Sequence, residues 1–468
     1  MKSLQTGSRR SFLKQAAAVS LGFQGLEALF LRTAFAGVSA AEIPAGFGPL
    51  ARDPHRIIDL PEGFTYRVVS WAGDPMDDGL VVPGAPDGMA AFSGPDGLTV
   101  LIRNHELSPG SDASGFGRQN ERLQKIDASR LFDPGFGASP SAGGTTTLHF
   151  DTRTGEVKRQ FMSLAGTSRN CAGGPTPWDS WLTCEETVQR AGDICEQDHG
   201  WVFEVPAAAD GLVEPVALKD MGRFNHEAVA VDPESGCVYL TEDRHDGLFY
   251  RFIPNVPGEL ARGGRLQALI FRDRPGADTR NWDEDVQVKT GERIAVAWMD
   301  IEDTFSAEDD MRLKGFEAGA ARFARGEGMW YGNGSVYFAC TNGGPIKKGQ
   351  IWRYYPSRFE GTPEEKGKPG ELELSVESRD AGLIDNADNI TVSPWGDLII
   401  CEDGSGEQFL VGVTPEGGIY KFGRNATARN SEFAGATFSP DGSTLFVNIQ
   451  ADGITLAITG PWGNRRSA

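Results

Sequence analysis

The sequence predicts an all-β protein, a six-bladed β-propeller with loop and short helical insertions, and three observations lead there. Of 468 residues, 60 are Gly and 27 are Pro, so helix breakers are frequent and a helical bundle or coiled coil is excluded. Strand-turn-strand units recur along the chain, and sheets that cannot bury both faces alone are satisfied by radial stacking. One strand-like run near the start, Phe64 to Val69, has no local partner and is expected to complete the last blade and close the ring.

The first 36 residues are read apart from the fold. Ser8-Arg9-Arg10-Ser11-Phe12-Leu13-Lys14 precedes a weakly apolar stretch, Ala16 to Leu31, broken by Gln24 and Glu27. This is the pattern of a twin-arginine export signal. A stable membrane anchor would need about 20 predominantly apolar residues, and this stretch is too short and too polar. Ala34-Phe35-Ala36 fits a small-x-small cleavage site. Residues 1–36 are thus expected to engage the twin-arginine export machinery and be removed, leaving residues 37–468 as one propeller domain in the periplasm or outside the cell.

The blades follow in order. MAAFSGPDGLTVLIRNHE at 89–106 and TTTLHFDTRTGEVKR at 145–159 make the first, and WDSWLTCEE with HGWVFEVP, across 178–206, the second. Apolar runs separated by acidic, Pro- or Gly-containing turns give the third at 227–254, the fourth at 329–356 and the fifth at 389–422; GATFSPDGSTLFVNIQ at 435–450 opens the sixth. Segments 107–142 and 272–325 read as insertions between blades, with a helix expected over 303–325. The stretch 357–371 reads as a solvated charged loop.

Charge narrows the choice of ligand. The formal net charge is −20, and removal of residues 1–36 takes five basic residues and one acidic one, so the mature chain stands at −24. Such a field repels phosphate backbones and makes nucleic acid a poor partner. It also repels a small anionic substrate unless bound cations reverse the potential locally. The six cysteines permit disulfides in an oxidising compartment, but Cys237, Cys340 and Cys401 lie in strand-like runs and read as buried thiols.

The most unusual local sequence is RNCAGGPTPW at 169–178, followed by WLTCEE at 181–186. Its Gly-Gly-Pro turn allows close backbone approach, while Asn170 and Cys171 offer a hard oxygen beside a soft sulfur. Of the adjacent Glu185 and Glu186, one must point away from whatever the other binds. Carboxylates at strand ends recur as Asn104-His105-Glu106, Asn225-His226-Glu227, Glu242-Asp243, Arg325-Gly326-Glu327-Gly328 and Asp385-Asn386-Ala387-Asp388-Asn389. A propeller brings equivalent positions of its blades to one mouth of the channel, where mutually repelling carboxylates are tolerable only around cations. Oxygen ligands suit Ca2+, and one thiolate among carboxylates suits iron or another transition metal. Without a His-x-x-x-His, a CxxC pair or an EF-hand loop, zinc and helix-loop calcium sites have little support.

RNCAGGPTPWDSWLTCEE resembles the signature of the PhoX-type alkaline phosphatases, close to N-C-A-G-G-x-T-P-W-G-T-W-L-T-C-E-E, differing at Asp179 and Ser180. NHE at 104–106, RFNHEA at 223–228, RGEG at 325–328, DNADN at 385–389 and EFAGATFSPDGSTLFVNIQ at 432–450 extend the resemblance in family order over roughly residues 55–460. It implies a six-bladed propeller holding Fe3+ and Ca2+ that hydrolyses small phosphate monoesters. By position it implies that Cys171 is the iron-binding thiolate, that Glu186, Glu227, Glu327 and Asp388 are metal-binding carboxylates with Glu106 a further candidate, that Arg325 holds the phosphate, and that Asn170 lines the site. A monomer is expected. Two other readings remain open on the residues alone: a calcium-dependent lactonase or esterase, since six-bladed propellers host that chemistry too, and a non-catalytic propeller that binds a partner on its rim.

Overall fold

Residues 45–192, 194–282 and 286–465 are described by a computed structural model; the expected export signal and its cleavage after Ala36 lie outside them. The described chain is mostly β and propeller-like. It begins with three short strands, β1 (Leu50–Ala51), β2 (Ile58–Pro61) and β3 (Thr65–Trp71), which join sheets formed much later in the chain. A four-stranded meander follows: β4 (Pro86–Ser93), β5 (Thr99–His105), β6 (Gly143–Asp151) and β7 (Glu156–Thr167). The next sheet has three strands, β8 (Asn170–Pro175), β9 (Ser180–Glu185) and β10 (Val202–Pro206).

Two longer meanders come next. The first comprises β11 (His226–Val231), β12 (Val238–Glu242), β13 (Gly247–Pro254), β14 (Gly264–Phe271) and β15 (Arg293–Asp300). A short helix α1 (Met311–Glu317) and β16 (Arg322–Phe323) lead into the second, β17 (Gly326–Gly332), β18 (Ser335–Cys340), β19 (Gln350–Tyr355) and β20 (Glu371–Glu377). Because β15 pairs with both β14 and β20, the two meanders share one sheet. A further sheet consists of β21 (Ala387–Val392), β22 (Leu398–Glu402), β23 (Phe409–Val413) and β24 (Ile419–Asn425), extended by β2 and β1. The last holds β25 (Phe433–Phe438), β26 (Thr444–Ile449) and β27 (Ile454–Thr459), to which β3 adds the outer strand, with Thr65 opposite Thr459 and Trp71 opposite Ile454. The strand around Phe64 to Val69 therefore finds its partner at the far end of the chain.

The first strands of the meanders stand side by side: β4 adjoins β8, then β11, β17, β21 and β25 follow in order, and β25 returns to β4. Every residue of β11 is buried, as expected for a strand covered on both faces. Neighbouring backbones come so close that small residues are needed: a Cβ on Gly174 would lie 1.8 Å from the Val229 carbonyl oxygen. Farther out, aromatic side chains fill the wedge between meanders. Phe249 and Phe338 stack with ring centroids 4.4 Å apart, and Phe323 meets Trp352 edge-on at 5.5 Å. Each such buried ring contributes about 1.5–3 kcal/mol of hydrophobic stabilisation.

Two local expectations are corrected. The helix expected over 303–325 is confined to Met311–Glu317, because Gly319 turns the chain at φ +112 and β16 is drawn into pairing with β13 through Phe323 and Gly247. The 357–371 segment is not simply a solvated loop. Its Glu360 is buried and, with Glu365, ion-pairs with Arg251, since a guanidinium 2% exposed needs compensation. All six cysteines are free and buried, in keeping with the reading of Cys237, Cys340 and Cys401 as buried thiols.

Candidate active site

The site is built by a repeated irregularity in strand pairing. Between the first and second strands of successive meanders the register slips at Pro86/Met89, Asn170/Gly173, His226/Val229, Gly326/Met329 and Ala387/Ile390. A β-bulge leaves residues unpaired and re-aims their side chains. The first unpaired residue in these five places is Asp87, Cys171, Glu227, Glu327 and Asp388. The pairing of β25 with β26 slips too, between Ala434 and Thr437, but there the corresponding residue is Gly435, at φ +62, where a Cβ would lie 2.3 Å from the Asp87 carbonyl oxygen. Four carboxylates and one thiol thus point into a common space, which backbone closes at β25.

A second tier comes from residues just past the second strands. Glu106 follows β5, Glu186 follows β9, Asp243 follows β12 and Asp403 follows β22; Glu432 immediately precedes β25. Ligand atoms of the two tiers form three overlapping groups, each within 4.8 Å: Cys171 with Glu186 and Glu227; Glu227 with Glu327 and Asp388; and Asp388 with Asp403 and Glu432. The first two groups are largely buried, whereas the third opens toward the mouth, with Asp403 exposed.

Two arginines enter this acidic space from equivalent places, each two residues before a bulged ligand. Arg169 and Arg325 both have left-handed backbone, φ 50 and 52, a conformation that costs a non-Gly residue roughly 1 kcal/mol or more and tends to mark functional sites. Arg325 donates from Nε to Asp243 Oδ1 at 2.7 Å and from Nη2 to Asp243 Oδ2 at 2.7 Å, and Nη2 also lies 2.8 Å from Glu327 Oε1. Arg169 pairs with Glu106 at 2.6 Å and with Glu186.

These two cations do not balance the acids. Burial, followed by the charges of neighbouring carboxylates, holds Asp87, Glu227, Glu327 and Glu432 well above the usual carboxylate range. Burial pushes Glu186 up to about 8 in spite of Arg169, and burial with the charge of Asp403 pushes Asp388 up to about 7. The Cys171 thiol is raised by burial and by Glu227 and Glu186. For Arg325, burial acts to lower the value, but the Asp243 hydrogen bonds and the charge of Glu327 outweigh it. A pocket that penalises its own anions this strongly is arranged for external cations.

A family model described as Alkaline phosphatase PhoX matches residues 45–156 and 113–453. The chain belongs to the PhoX alkaline phosphatase family. As a PhoX-family enzyme it hydrolyses phosphate monoesters, which takes the place of the lactonase and non-catalytic readings. Among solved structures, Pseudomonas fluorescens PhoX in complex with vanadate, a transition state analogue, is 19% identical, aligns over 90% of this chain and 98% of its own, and gives a TM-score of 0.64; the likeness is one of fold. The gluconolactonase XC5397 of Xanthomonas campestris is 13% identical over 89% of this chain and 99% of its own, with a TM-score of 0.35. No curated protein matches the chain.

The residues singled out from the sequence of this PhoX-family chain are distributed unevenly. Cys171, Glu186, Glu227, Glu327 and Asp388 come together in the groups just described. Of the adjacent glutamates, Glu185 is the one that turns away, to His199 and the Gly200 and Trp201 amides. Glu106 sits beside the cluster, held by Arg169 and by Gln450 Nε2 at 2.9 Å. Asn170 does not line the cluster, and that expectation is corrected: its Oδ1 accepts from Thr167 Oγ1 at 2.6 Å and its Nδ2 donates to Thr183 Oγ1 at 2.9 Å, entirely inside the sheet. Arg325 reaches Glu327 through its left-handed turn. Sequence reasoning missed Arg169, Asp87, Asp403 and Glu432, and noted Asp243 only as a strand end. The repeated pair at the ends of WLTCEE, YLTED and IICED carried the signal for Asp243 and Asp403.

Proposed function

We propose that this phosphatase is metal-dependent, with iron held at the Cys171 end of the cluster and calcium at the all-oxygen positions, at the mouth of a six-bladed ring. The observation that carries the reading is the meeting of Cys171, Glu227, Glu327 and Asp388 from separate meanders at equivalent bulges, in a space that raises the pKa of every one of them. The donor set fits. A thiolate with Glu186 and Glu227 suits a transition metal, while groups of carboxylates suit Ca2+. The six-bladed reading is supported by the closed order of β4, β8, β11, β17, β21 and β25 and by the register slip shared by their second strands.

Bound cations would supply charge neutralisation and Lewis-acid polarisation of the phosphoryl oxygens. The protein's own residues orient the ester. Asp243 fixes the Arg325 fork in plane through Nε and Nη2, leaving the two N–H groups of Nη1 to donate to non-bridging phosphoryl oxygens. Glu327, touching Arg325 Nη2 at 2.8 Å, keeps that fork in register with the ligand set. Export through the twin-arginine pathway to the periplasm is supported by the Arg9-Arg10 motif.

Elemental analysis of protein purified from its native host tests the assignment, with iron and several calcium ions expected. Cys171→Ser should abolish both activity and a visible sulfur-to-iron charge-transfer band, whereas Cys184→Ser, in the apolar core, should keep both. Equal effects of the two substitutions, or calcium without iron, would overturn the reading.

A further inference from the structure

Next to the Cys171–Glu186 end of the cluster lies an open cleft of about 440 Å³, comparable in volume with small-molecule sites of about 300–1,000 Å³. Its composition is unlike the rest of this acidic protein. Arg169, Arg244, Asn225 and Gln189 line it, Val188 is its one apolar residue and Glu186 its one acid. That acid belongs to the ligand cluster, so where it holds a cation its charge is no longer available to Arg169, which keeps its pair with Glu106. Asn225 ties the cavity to the site: its Nδ2 lies 3.3 Å from Glu186 Oε1 and 3.5 Å from the Asp243 carbonyl oxygen. Arg244 accepts the Arg325 amide at 2.9 Å through its own carbonyl. Its guanidinium is anchored through Nη2 to Asp309 at 3.0 Å and stays about one-third exposed, with Nε free of any partner among the described residues.

A phosphate monoester whose phosphoryl group is held by Arg325 must place its leaving group beside that site. We propose that this cavity receives the leaving group and selects for one that carries a second anionic group, recognised by Arg244 together with Arg169. The inference rests on the phosphatase site described above and goes further by naming its substrate class. Carboxylate- or phosphate-bearing leaving groups gain charge-assisted hydrogen bonds there. Bare aryl or alkyl groups find a single apolar side chain there, Val188, and leave the guanidiniums unpaired.

Two esters of similar shape separate the possibilities: 4-carboxyphenyl phosphate and 4-carbamoylphenyl phosphate, alike in reach but different in charge, the carbamoyl phenol being the better leaving group, so that electronics alone would favour the neutral ester. The metal-loaded parent should favour the carboxylate about tenfold in kcat/KM, mainly through KM, as expected for one charge-assisted contact. Arg244→Gln should erase that preference while its kcat/KM on the carbamoyl ester stays within about twofold. Calorimetry adds a readout apart from turnover: 4-carboxybenzylphosphonate should bind the parent more tightly than its carboxamide analogue, and Arg244→Gln should weaken only the former. A preference that survives Arg244→Gln, or a parent that favours the neutral ester, overturns the inference while leaving the phosphatase site standing. A metal-loaded parent inactive on both esters would sink that site's reading and this one with it.

Discussion

Two buried acidic regions of this molecule are solved in opposite ways. Around His199, the protein provides its own counter-charge: Nδ1 meets Glu185 at 2.6 Å and Nε2 meets Asp133 at 3.0 Å, all three side chains fully buried. Burial alone would lower the His199 pKa, but the two carboxylates outweigh it and push it up to about 10. Asp133 also accepts the Gly135, Glu196 and Gln197 amides and is pushed down to about 2. In the central cluster, by contrast, Glu227, Glu327 and Asp388 are raised, with Arg325 the nearest cation. A buried acid with an internal partner marks structure, and a buried acid left facing other acids marks a place kept for a ligand. The two regions are only one residue apart in sequence, at Glu185 and Glu186.

Stripping the cations should break the central region most severely. Excess chelator, or Glu327→Ala, should reduce turnover by more than about 1,000-fold and lower the melting temperature, because the acids then confront one another uncompensated. A melting temperature unchanged in chelator would mean that the cluster is balanced without metal. Arg325→Ala should retain iron and calcium yet lose about 2–4 kcal/mol of transition-state stabilisation, together with inhibition by inorganic phosphate. Kinetics within about twofold of the parent on a simple aryl phosphate, at matched metal content, would remove Arg325 from substrate binding.

The self-compensated region should respond in stability and not in chemistry. His199→Gln should cost about 3 kcal/mol in denaturant unfolding near pH 7, as for a broken buried pair, with metal content retained. Because the folded His199 value lies above its unfolded value of about 6.5, its contribution is complete below that pH and is lost as pH rises through about 10. The gap between parent and variant should therefore be widest near pH 6 and close above pH 10; a gap that widens with pH would contradict the assigned charge state. Asn170→Ala should show the smallest effect on chemistry. It leaves Thr167 and Thr183 without their amide partner, at about 1–2 kcal/mol of stability, while iron is retained and kcat/KM changes by less than about tenfold. Loss of iron in this variant would return Asn170 to the site.

Much of this was legible because chemistry and turn patterns are local. The turns that separate strands, the isolated strand near Phe64, the Cys171 motif and the acids at 186, 227, 327 and 388 could all be read from short stretches. Asn170 misled because it is next to Cys171, and adjacent residues of a strand face opposite sides. Arg325 stands two residues before Glu327, but spacing alone does not reveal the left-handed backbone that aims its side chain.

The sequence by itself determined which residue types each meander presents at its ends, because strand and turn preferences act over a few residues. Only the tertiary structure decided which of them meet. Register slips at the five bulges, the backbone closure at Gly435 and the docking of β3 on β27, nearly 400 positions away in the chain, all depend on contacts between segments that no local pattern links. That long-range closure turns dispersed carboxylates into one cluster, and it assigns Glu185 to His199 and Glu186 to the site.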